Sequence, residues 1–276
     1  MTWTLTGFAD EISPDLDEQL DTLAAEQMRY LELRGVWGKN VLKLSDDELR
    51  QVKATLDSRG VKVSSIGSPI GKIKISDDFA PHLEEFRRAL YCAKALEAPF
   101  IRIFSFFIPQ DDDPAKYRDE VIARLSAIAK EAERHNVTLL HENEKEIYGD
   151  VPTRCLDIVT SVNSPVLRVA WDPANFVQCG ARPHTEGYAM LRPYIAYVHV
   201  KDALLGSGQV VPAGQGDGQV RDTVAALKSS GFDGFFSLEP HLKSGGTYAG
   251  FSGPDLFRTA VQAFKDVLAE QGIEWA

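Results

Sequence analysis

A (β/α)8 TIM barrel filling a single domain, residues 1–276, is the fold class the sequence predicts, and three observations predict it. Short β-type runs alternate with longer amphipathic helical patterns from one end of the chain to the other. A chain of 276 residues is long enough for one closed barrel with a sizeable core. The GxGxxG turn of an open dinucleotide-binding sheet is absent after the first strand, where DEISPD stands instead.

The elements follow in order. LTGFA (5–9) is the first β run, and DLDEQLDTLAAEQ after it places apolar residues three and four apart, as an amphipathic helix does. YLELR (30–34) precedes DDELRQVKATLDSRG, with Ser45 as a helix start signal and Gly60 as a stop signal. VKVSSIG (61–67) leads through SPIGK to HLEEFRRALYCAKALEA, for which Asp77 is the expected start. FIRIFSF (100–106) precedes the helical YRDEVIARLSAIAKEAERH. VTLLHE (137–142), VLRVAWD (166–172), IAYVHVKD (195–202) and GFFSLE (234–239) complete a set of eight. Such near-continuous apolar runs suit parallel strands covered on both faces, and every parallel crossover needs a helix, so the alternation predicts closure. Stretches rich in Pro and Gly at 67–71, 206–218 and 244–254 are expected to be βα loops, where barrels build their sites.

Composition excludes several functions. With 30 basic and 40 acidic side chains the formal charge is −10, which disfavours a phosphate backbone and argues against nucleic acid as partner. Three widely spaced cysteines, Cys92, Cys155 and Cys179, form no CxxC pair, so neither a disulfide framework nor a zinc knot is expected, and a reducing compartment is. No run of eighteen apolar residues and no basic-then-apolar leader occurs, so the expectation is a cytoplasmic protein without a membrane partner. Oligomeric state is left open, and a homo-oligomer is compatible with the sequence.

The chemistry sits at strand ends. Glu142 closes the fifth run, Asp172 the sixth in AWDPAN, His199 lies near the end of the seventh in YVHVKD, and Glu239 closes the eighth in SLEPH. An acid at one strand end is ordinarily a helix cap or a solvated loop residue. Three carboxylates and an imidazole delivered by consecutive strands to one rim are another matter, because the carboxylates repel one another unless a cation neutralises them. The donor set suits a divalent Mn, Mg, Co or Zn ion with positions left for water or substrate oxygens.

WDPAN, HVKD, SLEPH and SSIGSPIGKI resemble the xylose isomerase-like barrel superfamily, in its sugar phosphate isomerase/epimerase branch, whose relatives include tagatose epimerases, hydroxypyruvate isomerases and inosose dehydratases. The glycine-rich AGQGDG is similar to the family's segment after strand seven. The resemblance implies that Glu142, Asp172, His199 and Glu239 hold the metal, and that Glu142 and Glu239 are also the acid/base pair. It further implies a small carbohydrate substrate, a ketose or related polyol. A divalent ion chelating a carbonyl and its neighbouring hydroxyl acidifies the intervening C–H by stabilising an enediolate, and two glutamates on opposite faces can then move the proton. Return to the other face gives epimerisation, return to the next carbon gives isomerisation, and loss of a β-hydroxyl gives an inosose dehydratase-like lyase.

Neighbouring residues carry open alternatives. Asn175 either bonds a substrate hydroxyl or caps a turn; Lys201 and Asp202 either face the substrate in the mouth or form a solvated pair; His241 either approaches substrate or orients a ligand. Arg102 is expected to pair with Glu32, with Glu32 left open. His141 and Asn143 are expected to support Glu142 from outside the mouth. His82, His135 and His184 are expected on the surface, while Phe8, Trp37, Phe106 and Phe107 either wall the pocket or join the core. An endonuclease IV-like enzyme would need more histidines at the rim, and a non-catalytic sugar-binding barrel would not retain such repulsion at its mouth.

Overall fold

The computed structural model describes residues 2–243 and 252–276. Of the expected loop 244–254, residues 244–251 lie outside the described residues. The barrel strands are β1 (Thr2–Gly7), β2 (Tyr30–Leu33), β3 (Lys62–Ile66), β4 (Phe100–Ile103), β5 (Thr138–Glu142), β6 (Leu167–Trp171), β7 (Ile195–Val200) and β8 (Phe235–Leu238). They pair in parallel in the order β1-β8-β7-β6-β5-β4-β3-β2, and the sheet curls until β1 and β2 lie side by side. A two-residue strand, Glu274–Trp275, adds in parallel to the start of β1. Two antiparallel hairpins sit in βα loops, Gly35–Val36 with Lys39–Asn40, and Asp202–Ala203 with Val210–Val211.

Helices α1 (Leu16–Ala25), α2 (Asp46–Arg59), α3 (Phe79–Ala95), α4 (Arg118–His135), α5 (Pro152–Val162), α6 (Pro173–Gln178), α7 (Val220–Ser229) and α8 (Gly253–Glu270) follow the strands in turn. Their ends have local causes. Ser45 and Glu48 form a reciprocal capping box at α2, and Gly60 closes it with φ of 64°. At α3 the cap is Asp78, whose side chain accepts from Ala80 N; the expected Asp77 instead accepts from Lys74 N in the preceding turn.

Strand alternation organises the interior. Outward residues such as Leu139, Val169, Trp171, Val198 and Phe236 are buried between sheet and helices. Inward residues stack in layers: Tyr30, Phe100 and Phe235 at the bottom; Leu140, Tyr197, Thr6 and Ser64 in the middle; charged side chains at the top. The middle layer is fixed by a bulge in β3, where Ser64 is the extra residue between Val63 and Ser65 opposite Leu31 and Glu32. Its hydroxyl donates to Leu31 O (3.0 Å), which leaves it to accept from the Thr6 (2.8 Å) and Tyr197 (2.9 Å) hydroxyls.

His82 is a correction to the expectation of a surface histidine. It is buried on α3, its Nε2 accepts from Gly71 N at 2.7 Å, and Glu85 stands 3.2 Å from Nδ1. Gly71 itself lies at φ of 92°, where a Cβ would come within 2.1 Å of Phe104 O, so only glycine permits this crossing of the β3 and β4 loops. His135 is exposed and His184 half-buried against Tyr188.

Candidate metal centre and active site

The four strand-end residues converge. Glu142, Asp172, His199 and Glu239 each offer a donor atom, and these atoms all lie within 4.8 Å of one another in the buried barrel mouth. Parity explains why. Glu142 is two residues beyond the inward Leu140, Asp172 two beyond Ala170, His199 two beyond Tyr197 and Glu239 two beyond Ser237.

Each side chain is held. Asp172 is the N-cap of α6 through Oδ1 to Asn175 N (2.8 Å), which leaves Oδ2 facing Lys201 Nζ at 2.8 Å. Asn175 turns its amide back to donate to Glu142 Oε1 (3.1 Å) and Asn143 O (2.9 Å). Asn143 clasps the Asp172 backbone with both ends of its amide, at 2.8 and 3.0 Å, so it does support the site from the side. His199 presents Nδ1 to Glu142 Oε1 (3.3 Å) and Glu239 Oε2 (3.8 Å), and Nε2 to Glu32 Oε2 (3.3 Å). Glu239 Oε2 accepts from Lys201 Nζ (2.9 Å), while its Oε1 accepts from Arg34 Nη1 (3.2 Å) and lies 3.5 Å from His241 Nε2.

The electrostatics are those of buried carboxylates held among neighbouring cations. Burial alone would raise the Glu142 carboxyl, but His199 and Arg102 override it and hold it down at about 2. Glu239 is likewise lowered against burial, by Lys201, His241 and His199. Asp172 moves the other way: burial pushes it up to about 6 despite Lys201, and the charges of Glu142 and Glu239 add to the rise. Burial opposes charge on His199 and Lys201, yet their carboxylate neighbours raise both well above their ordinary values.

The donor set passes a direct test of fit to a divalent ion. Glu142 Oε2, Asp172 Oδ2 and His199 Nδ1 are buried and face charged groups, Arg102 at 3.1 Å, Lys201 at 2.8 Å and Glu142 Oε1 at 3.3 Å, without an aligned hydrogen bond, so three strand ends aim ligand-competent atoms into one mouth. Oxygen and imidazole donors of this kind suit Mn, Mg, Co or Zn.

A family profile described as xylose isomerase-like TIM barrel matches residues 20–267. The chain belongs to the xylose isomerase-like TIM barrel family. Among curated proteins, it is 23% identical over 172 residues to 3-dehydroshikimate dehydratase of Bacillus anthracis, covering 62% of this chain and 61% of that protein. It is 28% identical over 198 residues to 2-epi-5-epi-valiolone 7-phosphate 2-epimerase of an Actinoplanes strain, covering 70% of each. The match thus spans less than two thirds of the dehydratase's own length. Among solved structures, the IolI protein with a bound zinc atom superposes with a TM-score of 0.78 at 17% identity, covering 97% of this chain and 98% of that one. No described helix is long and apolar enough to cross a membrane.

Against this family background the remaining expectations divide. Lys201 lies in the mouth, with both Asp172 and Glu239. Asp202 does not. Its carboxylate accepts from the N–H groups of Ala203, Gly214, Gly216 and Gly218 at 2.8 to 3.0 Å, which ties down the AGQGDG loop instead of meeting substrate. Gly216 and Gly218 permit that approach, since a Cβ on either would lie 2.5 or 2.6 Å from Asp202 Oδ1. His241 is half-buried and bonded to Glu11, with Nε2 to Oε1 at 3.0 Å and its N–H to Oε2 at 2.9 Å, and so reaches Glu239 from the side.

Arg102 is a second correction. It pairs with Glu142 Oε2 at 3.1 Å and approaches Glu239 at 3.9 Å, stacked on Phe8 and Phe104, while Glu32 takes His199. Arg34, Glu11 and Phe104 were not singled out from the sequence for a site role, yet all three border the site. Parity could have found two of them: Arg34 is two beyond Glu32 and four beyond the inward Tyr30, and Phe104 is two beyond Arg102. Of the expected aromatic wall, Phe8 touches His199 edge-on with ring centres 5.2 Å apart, Phe106 packs with Phe79 in the core, and Trp37 is partly buried against that core. Phe107 bridges the backbone of Lys74 and Ile147. His141 points away from the mouth, and burial brings it down to about 4.

Proposed function

We propose that this chain is a metal-dependent isomerase or epimerase of a small ketose or related polyol, with Glu142, Asp172, His199 and Glu239 as ligands and Glu142 and Glu239 as the proton-transfer pair. The observation that carries the reading is the convergence of those four buried donors within 4.8 Å of one another. A divalent ion bound there would polarise a carbonyl and its adjacent hydroxyl.

The chain's own residues do the rest. Glu142 approaches the centre from β5 and Glu239 from β8, so a substrate carbon between them meets a carboxylate from each side. Arg102 Nη1 lies within ion-pair reach of both glutamates and favours their ionised, proton-accepting forms. Lys201 stands at 2.8 and 2.9 Å from Asp172 and Glu239, where its ammonium can orient a substrate hydroxyl or alkoxide. Phe8 and Phe104 present apolar faces that fix the two guanidiniums and exclude water beneath them.

The dehydratase reading is kept because a dehydratase is among the curated proteins this chain is similar to, and removal of the same proton can be followed by loss of a β-hydroxyl. Solvent-deuterium incorporation into a ketose panel, with manganese and with chelator, tests the proposal. Metal-dependent exchange is expected, and replacing either Glu142 or Glu239 with Gln is expected to lower its rate by roughly 10²- to 10⁴-fold at saturating metal. Exchange that ignores both substitutions removes the acid/base assignment, and product analysis separates epimer, isomer and dehydrated product.

A further inference from the structure

Beside the site lies a cavity of about 380 Å³, within the size range of small-molecule sites. Its buried end borders the metal centre through two residues that touch the ligands: Asn175, which holds Glu142, and Lys201, which joins Asp172 to Glu239. The outer wall has a different character. Lys145 on the β5 side and Lys243 on the β8 side line it, with Glu144 as the sole carboxylate among the described lining residues. Glu144 is already matched, to Lys145 at 3.1 Å and to Lys72 at 3.4 Å. In a chain of net charge −10, the outer end of this one cavity therefore carries an excess of cations. The side-chain amide of Gln178 and the edge of His241 add hydrogen-bonding groups between the two ends.

Resting on the metal-dependent reading above, we propose that the substrate carries an anionic group, carboxylate or phosphate, at the end remote from the reacting carbon, and that Lys145 and Lys243 receive it. Lys201 is not the receiver. Its ammonium is committed to two buried carboxylates, whereas Lys145 is half-exposed and Lys243 exposed at the cavity wall. A substrate bound in this way spans the cavity, with its hydroxy-carbonyl end toward Glu142 and Glu239 and its charge toward the rim. The two lysines set which molecules are retained, and take no part in proton transfer.

The test uses the manganese-loaded full chain and three probes of one carbon skeleton: fructose, fructose 6-phosphate and the corresponding 6-carboxylate. Binding constants are measured for each, for the wild-type chain and for the Lys145→Gln/Lys243→Gln double variant. At least one anion is expected to bind roughly tenfold more tightly than fructose, with the preference weakening as salt rises and falling to about threefold or less in the double variant. The phosphate and carboxylate arms then tell which anion the rim prefers. Equal binding of all three, no binding of either anion, or a preference untouched by the double substitution would overturn the proposal. Metal-dependent deuterium exchange into fructose, measured alongside, distinguishes that failure from failure of the metal-centre reading itself.

Discussion

Glu32 Oε2 lies 3.3 Å from His199 Nε2, across the barrel from β2 to β7, with both residues fully buried. The imidazole is thereby set with Nε2 toward a carboxylate and Nδ1 toward Glu142 and Glu239. A carboxylate behind a metal-facing histidine fixes ring orientation and raises ligand basicity. Replacement of Glu32 by Ala is therefore expected to weaken manganese or zinc binding by roughly 10- to 100-fold, and Glu32→Gln, which keeps an acceptor, by less. Competition against a metal-sensitive dye measures both, and equal affinity in all three proteins would refute the assignment.

Lys201 is the cation that allows Asp172 and Glu239 to sit together in the buried mouth. Its removal leaves two buried carboxylates short of a partner, a loss of the kind that costs about 3–5 kcal/mol. A Lys201→Met variant is expected to unfold at lower denaturant in the presence of chelator, and to recover more stability from added manganese than the wild-type chain does. Denaturation curves with and without metal check this. A variant as stable as wild type in chelator contradicts it.

Asp202 acts through the loop it anchors. Loss of a buried carboxylate that accepts from four backbone N–H groups is expected to cost roughly 3 kcal/mol in Asp202→Ala. Limited proteolysis should then cut within 203–218 first, while metal affinity stays within about threefold of wild type. Unchanged cleavage would show that the loop holds its shape by other means.

His82 gives a pH dependence with a definite sign. Burial and nearby Arg124 lower its pKa below 6.5, against the opposing pull of Glu85, and its Nε2 lone pair is used by Gly71 N. Below pH 6.5 the unfolded chain takes up a proton at this residue before the folded one does, so the contribution of His82 to stability is lost as the solution is acidified. Chemical denaturation between pH 7 and pH 5 is expected to show a shallower loss in His82→Gln, which keeps an acceptor for Gly71 without titrating. A slope identical to wild type would exclude the effect.

The alternation of strand and helix, the strand ends Glu142, Asp172, His199 and Glu239, and the cap at Ser45 were legible in the sequence because each is a local pattern: period, spacing and side-chain type carry it. Parity was legible as well and reaches further than the chemistry of single residues. Consecutive strand residues face opposite ways, so Lys201 and Asp202 could not both line the mouth, while Glu32 and Arg34 had to share a direction.

What parity leaves open is the partner. Arg102 and Glu32 both point inward, and the choice of Glu142 for one and His199 for the other follows from where curvature and the β3 bulge place β2 and β4 around the ring. The same holds for His82, whose burial depends on two βα loops crossing above α3, and for the lysine-rich wall, which joins residues from β5 and β8 loops nearly a hundred positions apart. A side chain's direction is a property of its own strand. The group it meets is decided only when the sheet closes and brings distant strand ends to a common rim.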